Sequence, residues 1–160
     1  DPKVPASRLL YLMNQSRIVQ AALSYLLGFS QGADFACMVA ARAALGLPGA
    51  PPPFRGLVLL EPDLPGWVAD RPELFTRLLP IPALIVGGTK HDPKQTPSKA
   101  DADFAAPETA KLFEPAMVER HSFAEGHRPM PADKVAADVI AGAVADFMTR
   151  IRCVEPAGES

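Results

Sequence analysis

Short, uninterrupted apolar runs alternate along this 160-residue chain with segments of helical pattern. Three runs stand out, at Tyr25–Phe29, Gly56–Leu60 and Ala83–Val86, and each is closed by glycine or by polar and proline residues. Continuous apolar runs of this length are typical of strands buried on both faces of a parallel sheet. A fourth strand is predicted at Met117–His121. Strands that alternate with helices predict an α/β fold with a mostly parallel sheet.

The segments between the runs have helical patterns. They share apolar residues at helical spacing, a high alanine content or recognisable end signals. In chain order the predicted helices are residues 8–22, 31–45, 70–79, 108–113 and 132–152. The third begins with Asp70-Arg71-Pro72-Glu73, in which Asp70 is the expected cap and Pro72 suits the first turn. The length predicts a single domain over residues 1–152, followed by a loose tail over residues 153–160.

Composition argues against several classes of function. The chain has 16 Lys+Arg against 18 Asp+Glu and a net charge of -2, so it lacks the basic excess of a nucleic-acid-binding protein. It also lacks the roughly 18 consecutive apolar residues of a membrane span. No His/Cys/Asp cluster has metal-ligand spacing, and neither G-x-G-x-x-G nor a P-loop supports a flavodoxin-like nucleotide protein. We therefore predict no metal and no cofactor.

The two cysteines bear on the cellular compartment. Cys37 and Cys153 lie far apart in the chain and form no CxxC pair. Reduced thiols in a cytosolic protein are the simpler interpretation of such usage, although the sequence does not exclude a disulfide. The predicted location is therefore cytoplasmic.

One pentapeptide carries the chemistry, since Gly28-Phe29-Ser30-Gln31-Gly32 matches the pattern G-x-S-x-G. A predicted strand precedes it and an alanine-rich helix follows it, which is the setting of a nucleophile elbow. In such an elbow the serine sits on a tight, strained turn, and both glycines are expected to leave room for it. We predict Ser30 as a nucleophile and the backbone N–H of Gln31 as an oxyanion donor. The alternative is an ordinary Gly-Ser turn.

A serine nucleophile needs a general base and a carboxylate that orients it. His127 lies between the fourth strand and the last helix, where the chain order Ser, acid, His places the base. Asp92 follows the third strand and is the preferred acid, whereas Asp63, after the second strand, is the alternative. The weaker candidates are His91 as the base and Asp101 or Asp103 as the acid.

Two segments resemble a known family. Leu27–Ala33 resembles the nucleophile motif of the FSH-type serine hydrolases, and His121–Pro131 is similar to the closing pattern of that family, His then Gly-His then Pro. The resemblance implies a three-layer α/β-hydrolase-like fold, with Ser30 as nucleophile, His127 as base and Asp92 as acid. It also implies an esterase or thioesterase activity on a small-molecule substrate.

The chain departs from this family in two places. Asp92 lies four residues after Gly88, whereas the acid of the family follows the strand-end glycine by about three. Only 27 residues precede Gly28, where the family has several strands, so we expect an N-terminally shortened form of the fold. Tyr25–Leu27 would then be an open strand edge that pairs with an upstream segment or a second copy of the chain.

Two function hypotheses follow from these patterns. The first is a serine hydrolase that cleaves carboxylic esters or thioesters through an acyl-enzyme on Ser30. The alternative is a non-catalytic α/β-hydrolase-like module that binds or oligomerises through the open strand edge.

Overall fold

The computed structural model of the protein describes residues 25–63, 65–90 and 106–153. Within these ranges, four strands form one parallel sheet in sequential order. The strands are β1 Tyr25–Phe29, β2 Gly56–Leu60, β3 Ala83–Gly88 and β4 Val118–Phe123, and the long helices are α1 Gln31–Ala44 and α2 Lys134–Cys153. The predicted α/β class and parallel sheet are confirmed.

Each face of the sheet has its own apolar core. Leu57, Leu59 and Ile85 point toward α1, where they contact buried alanines. Their sequence neighbours point to the other face, against α2, because successive strand residues face opposite sides of a sheet. This second core contains Val58, Leu60, Leu84, Val86, Phe123, Ile140, Phe147 and Ile151. Burial on both faces explains why the strand runs are continuously apolar.

The sheet brings distant parts of the sequence to one edge. All pairings are parallel, so residues that follow β1, β2, β3 and β4 lie at the same carboxyl edge. Backbone pairing continues past the strands there, since Ser30 N–H donates to Leu60 O at 2.9 Å and Glu61 N–H donates to Val86 O at 2.7 Å. Ser30 and Glu61 are therefore fixed next to each other by the backbone of the sheet.

Residues 65–80 differ from the prediction. Two 3₁₀ helices, Pro65–Asp70 and Pro72–Leu74, replace the α-helix predicted to begin at Asp70. Near the predicted end of that helix, Leu79 instead pairs with Phe113, and Leu79 N–H donates to Leu112 O at 2.8 Å. A long-range backbone pairing thus holds the chain at Leu79, where a helix was predicted.

The remaining elements lie close to their predicted places. Residues 106–110 are helical where residues 108–113 were predicted, β4 begins one residue after Met117, and α2 begins at Lys134. The predicted helix over residues 8–22 and most of the tail lie outside the described residues. Among the described strands, β1 has β2 as its one neighbour, and the Leu27 side chain is 60% exposed.

The length and hydropathy of the helices bear on whether the chain can cross a membrane. In the part of the chain that the structure describes, no helix is both long enough and apolar enough to cross a bilayer. Even α2, with 20 residues, carries Arg150 and Arg152 in its last turn.

Candidate functional site

Ser30 forms the turn between β1 and α1. Its backbone angles are φ 55° and ψ −129°, a region that residues other than glycine rarely adopt. Such a conformation costs on the order of 1–3 kcal/mol and persists only where the surroundings impose it. Here the backbone imposes it, because Ser30 N–H donates to Leu60 O and Ser30 O accepts from Ala33 N–H at 2.8 Å. The predicted strand–turn–helix around Ser30 is confirmed.

The two glycines of the pentapeptide have different roles. A Cβ at Gly28 would lie 2.2 Å from Gly32 O and 2.6 Å from Ala33 Cα, so the first turn of α1 leaves no room for a side chain there. A Cβ at Gly32 would have nothing within 4 Å. The prediction that the position must lack a side chain is therefore confirmed at Gly28 and wrong at Gly32. At Gly32 it is the backbone, and not the side-chain position, that lies close to β1.

His127 lies directly against Ser30. Its Nε2 is 2.8 Å from Ser30 Oγ, although the two residues are 97 positions apart in the chain. The ring also packs on Phe29, with ring centroids 5.1 Å apart and an interplanar angle of 32°. The structure thus brings together the two residues that the sequence predicted as nucleophile and base.

The loop that carries His127 is fastened at several points. Thr89 N–H donates to Phe123 O, and Lys90 N–H donates to Glu125 O, both at 2.9 Å. The Glu125 carboxylate accepts a hydrogen bond from Ala132 N–H at 2.7 Å and forms an ion pair with Arg128. The hydrogen bond from the Arg128 guanidinium holds the pKa of Glu125 below its ordinary value. Glu125 thus links both ends of the loop.

Glu61 is the functional candidate that the sequence analysis missed. Its Oε2 lies 3.5 Å from His127 Nδ1, and its Oε1 accepts a hydrogen bond from Gly88 N–H. Glu61 directly follows β2 and has a positive φ of 47°. The available signal was a carboxylate at the end of the strand after the elbow, in the chain order Ser, acid, His.

The surroundings of Glu61 are dry and crowded. Its side chain is 11% exposed. The pKa of Glu61 is raised from 4.5 to about 7, because burial and the nearby charge of Asp63 raise it by more than the hydrogen bond from Gly88 N–H lowers it. A Cβ at Gly88 would lie 2.7 Å from Glu61 Oε1 and 2.3 Å from Glu125 O. Gly88 therefore allows the carboxylate and the histidine loop to meet at the end of β3.

The other predicted site residues have separate outcomes. Asp92, His91, Asp101 and Asp103 lie outside the described residues, so their roles stay predictions. Asp63 lies in the wall of the cleft, but among the described residues the carboxylate at ion-pair distance from His127 belongs to Glu61. Gln31 is the first residue of α1, where backbone N–H groups have no acceptor within the helix.

An open cleft of about 510 Å³ surrounds this arrangement. Its lining residues are Phe29, Ser30, Gln31, Asp63, His127, Arg128 and Pro129. Of the described residues, no three or more His, Cys, Asp or Glu side chains are grouped so that they could hold a metal ion. Ser30 and His127 both line the cleft, where they are open to a small molecule.

Asp34 lies beneath the site in the first turn of α1. It is 7% exposed, and its Oδ1 has no hydrogen-bond partner among the described residues. Burial raises the pKa of Asp34 from 3.8 to about 6, and the charge of Asp63 adds to the rise. The folded protein thus binds a proton at Asp34 over a pH range where the unfolded chain does not.

Asp34→Asn should therefore change how stability depends on pH. The stabilisation from the raised pKa is present below pH 3.8 and is lost as pH rises through about 6. Asp34→Asn lacks this group, so its free energy of unfolding should rise by on the order of 3 kcal/mol relative to that of the wild type as the pH goes from acid to mildly alkaline. Urea unfolding across this range measures the gain, with Asp146→Asn on the exposed face of α2 as control. A stability difference that does not vary with pH would contradict the prediction.

Comparison with known proteins identifies no similar family or curated protein. The chain matches no protein-family model, and a search of curated proteins also finds no match. The resemblance to FSH-type hydrolases therefore stays a prediction. The geometry of Ser30, His127 and Glu61 is the observation that bears on function.

Proposed function

We propose that this protein is a serine hydrolase that cleaves carboxylic esters or thioesters through an acyl-enzyme on Ser30. The observation that carries the proposal is the 2.8 Å contact between Ser30 Oγ and His127 Nε2 in an open cleft. A serine on a strained turn, with a base at hydrogen-bond distance, is the arrangement that nucleophilic catalysis requires. An α/β-hydrolase-like architecture is part of the proposal and is supported by a parallel sheet with Ser30 after β1 and His127 after β4.

The reaction follows from the positions of these groups. His127 Nε2 accepts the Ser30 proton while Oγ bonds to the carbonyl carbon, and the carbonyl electron pair moves onto oxygen. The N–H of Gln31 stabilises that oxyanion, aided by the N-terminal end of α1. His127 then donates its proton to the departing alcohol or thiol. A water molecule then attacks the acyl carbon and gives one proton to the same ring. The bond between the acyl carbon and Ser30 Oγ breaks, His127 returns the proton to Oγ, and the carboxylic acid leaves.

A fluorophosphonate probe tests the proposal directly, because it phosphonylates only an activated serine. We expect the intact wild-type protein to be labelled on the peptide that contains Ser30, as identified by mass spectrometry. Ser30→Ala should abolish the label, whereas Ser122→Ala, a change at an exposed serine of β4, should keep it. A folded wild-type protein that leaves Ser30 unlabelled would remove the proposal. Nitrophenyl esters and acyl thioesters of increasing chain length then separate the two substrate classes.

A second candidate function is favoured by one observation. β1 has a single neighbour among the described strands, and Leu27 and Phe29 on it are exposed. An apolar edge of this kind suits strand addition by a partner. A non-catalytic module acting through that edge would leave Ser30 unreactive, so the labelling experiment distinguishes it from the hydrolase.

A further inference from the structure

We propose that Glu61, rather than Asp92, is the carboxylate that positions His127 for catalysis. This inference rests on the proposed hydrolase function and assigns one further residue to it. Glu61 acts on the substrate only through the imidazole ring, so it is a positioning residue.

The ring of His127 is held between two partners. Nε2 is 2.8 Å from Ser30 Oγ, and Nδ1 is 3.5 Å from Glu61 Oε2. A carboxylate beside Nδ1 keeps the ring proton on that nitrogen, so that Nε2 is free to accept the serine proton. It also stabilises the imidazolium formed when the serine attacks. At 3.5 Å the two atoms lie within ion-pair distance.

The Glu61 carboxylate is fixed in place. Its second oxygen accepts the Gly88 N–H, and the Glu61 backbone N–H donates to Val86 O. The absence of a side chain at Gly88 gives the carboxylate its room, since a Cβ there would lie 2.7 Å from Oε1. Only 11% of the Glu61 side chain is exposed, so its contact with His127 is a buried one and not a flexible ion pair on the surface.

The order of the strands supports the same assignment. β2 pairs directly with β1, and Phe29 is in register with Leu60. Ser30 and Glu61 are the next residues of the two strands, so their side chains start from adjacent points of the sheet edge. The loop after β4 brings His127 to the same place, so that its ring meets both Ser30 and Glu61.

The ionisation of Glu61 can be measured separately from its effect on kcat. Burial and the nearby charge of Asp63 raise the pKa of Glu61 to about 7. The groups that face the carboxylate are Asp63 on its own loop, His127 on the loop after β4, and the Gly88 N–H at the end of β3. Only the ionised carboxylate stabilises an imidazolium, so its ionisation should appear in the pH profile of kcat/KM.

Steady-state kinetics of full-chain variants test the inference. We expect Glu61→Gln to lower kcat for a nitrophenyl ester by about 10³- to 10⁴-fold while KM changes little. Glu61→Asp keeps the charge and should recover part of that loss. Glu119→Gln, at a partly exposed carboxylate of β4, is the matched control and should keep the wild-type kcat. The acid limb of the kcat/KM profile should change in Glu61→Gln alone.

Asp92→Asn is the variant that separates the two acids. We expect it to lose at least a hundredfold less kcat than Glu61→Gln. A loss of about 10³-fold or more in folded Asp92→Asn would overturn the inference, even if Glu61→Gln failed to fold, and so would a Glu61→Gln enzyme of near wild-type activity. Labelling of wild-type Ser30 is measured first. If that label is absent the hydrolase proposal falls, whereas a labelled Ser30 with active Glu61→Gln removes only the role of Glu61.

Discussion

Replacing His127 with alanine is expected to lower kcat for ester hydrolysis by about 10⁴- to 10⁶-fold. His127 Nε2 is the ring nitrogen 2.8 Å from Ser30 Oγ, and a serine hydroxyl is a weak nucleophile without a base to accept its proton. The ring also packs against Phe29 at the rim of the cleft, so its loss leaves the cleft open but unreactive. Steady-state kinetics with a nitrophenyl ester, together with the rate of phosphonate labelling, measure the effect.

The control for this variant is His121→Ala. His121 lies within β4, where it is in register with Val86. It should keep kcat within about threefold of the wild type, since partly exposed positions outside the site tolerate truncation. The double variant Ser30→Ala/His127→Ala should be no less active than the worse single variant, because the two residues act as a unit. A His127→Ala enzyme that retains a tenth of the wild-type kcat would contradict the assigned role.

Gly28→Ala is expected to destabilise the fold by about 3 kcal/mol or more and to disrupt the site as well. The added Cβ would lie 2.2 Å from Gly32 O, which is a backbone atom, and the position of a Cβ is itself fixed by the backbone, so no side-chain rotation relieves the overlap. The first turn of α1 must move away from β1 and carry Ser30 with it. A displacement of about 1 Å at the nucleophile commonly costs on the order of a hundredfold in rate.

Gly32→Ala is the matched control for Gly28→Ala. A Cβ there meets nothing within 4 Å, and the position lies in α1, where alanine is favoured over glycine by about 1 kcal/mol. We expect this variant to be as stable as the wild type or slightly more stable, with wild-type phosphonate labelling. Urea unfolding compares the two variants. Equal midpoints for Gly28→Ala and Gly32→Ala would contradict the steric argument.

The sequence was informative wherever the determining interaction is local. The strand runs, the turn at Ser30 and the helix after it depend on neighbouring residues, and their positions were predicted to within a few residues. The approach of His127 to Ser30 was also predicted, because it follows from the position of His127 in the chain, between the fourth strand and the last helix. The pairing at Leu79 was missed because its partner, Phe113, lies 34 positions away in the chain.

Glu61 was missed for a different physical reason. Carboxylates follow both β2 and β3 in the sequence, and the residues alone do not say which of these strands lies beside β1. The sheet order β1-β2-β3-β4 and the register of Phe29 and Leu60 place Glu61 beside Ser30, and the loop after β4 brings His127 Nδ1 to 3.5 Å from its carboxylate. These are long-range contacts, and a sequence pattern does not contain them.

The unequal steric demands at Gly28 and Gly32 also bear on how distant relatives of this chain can be recognised. A search pattern that insists on glycine at both positions rejects proteins with alanine at the second, although an added Cβ fits this backbone without contact. A pattern relaxed at the second position and strict at the first would keep every chain able to bring its helix this close to its strand. Candidates retrieved in that way can then be sorted by whether a carboxylate directly follows the next strand.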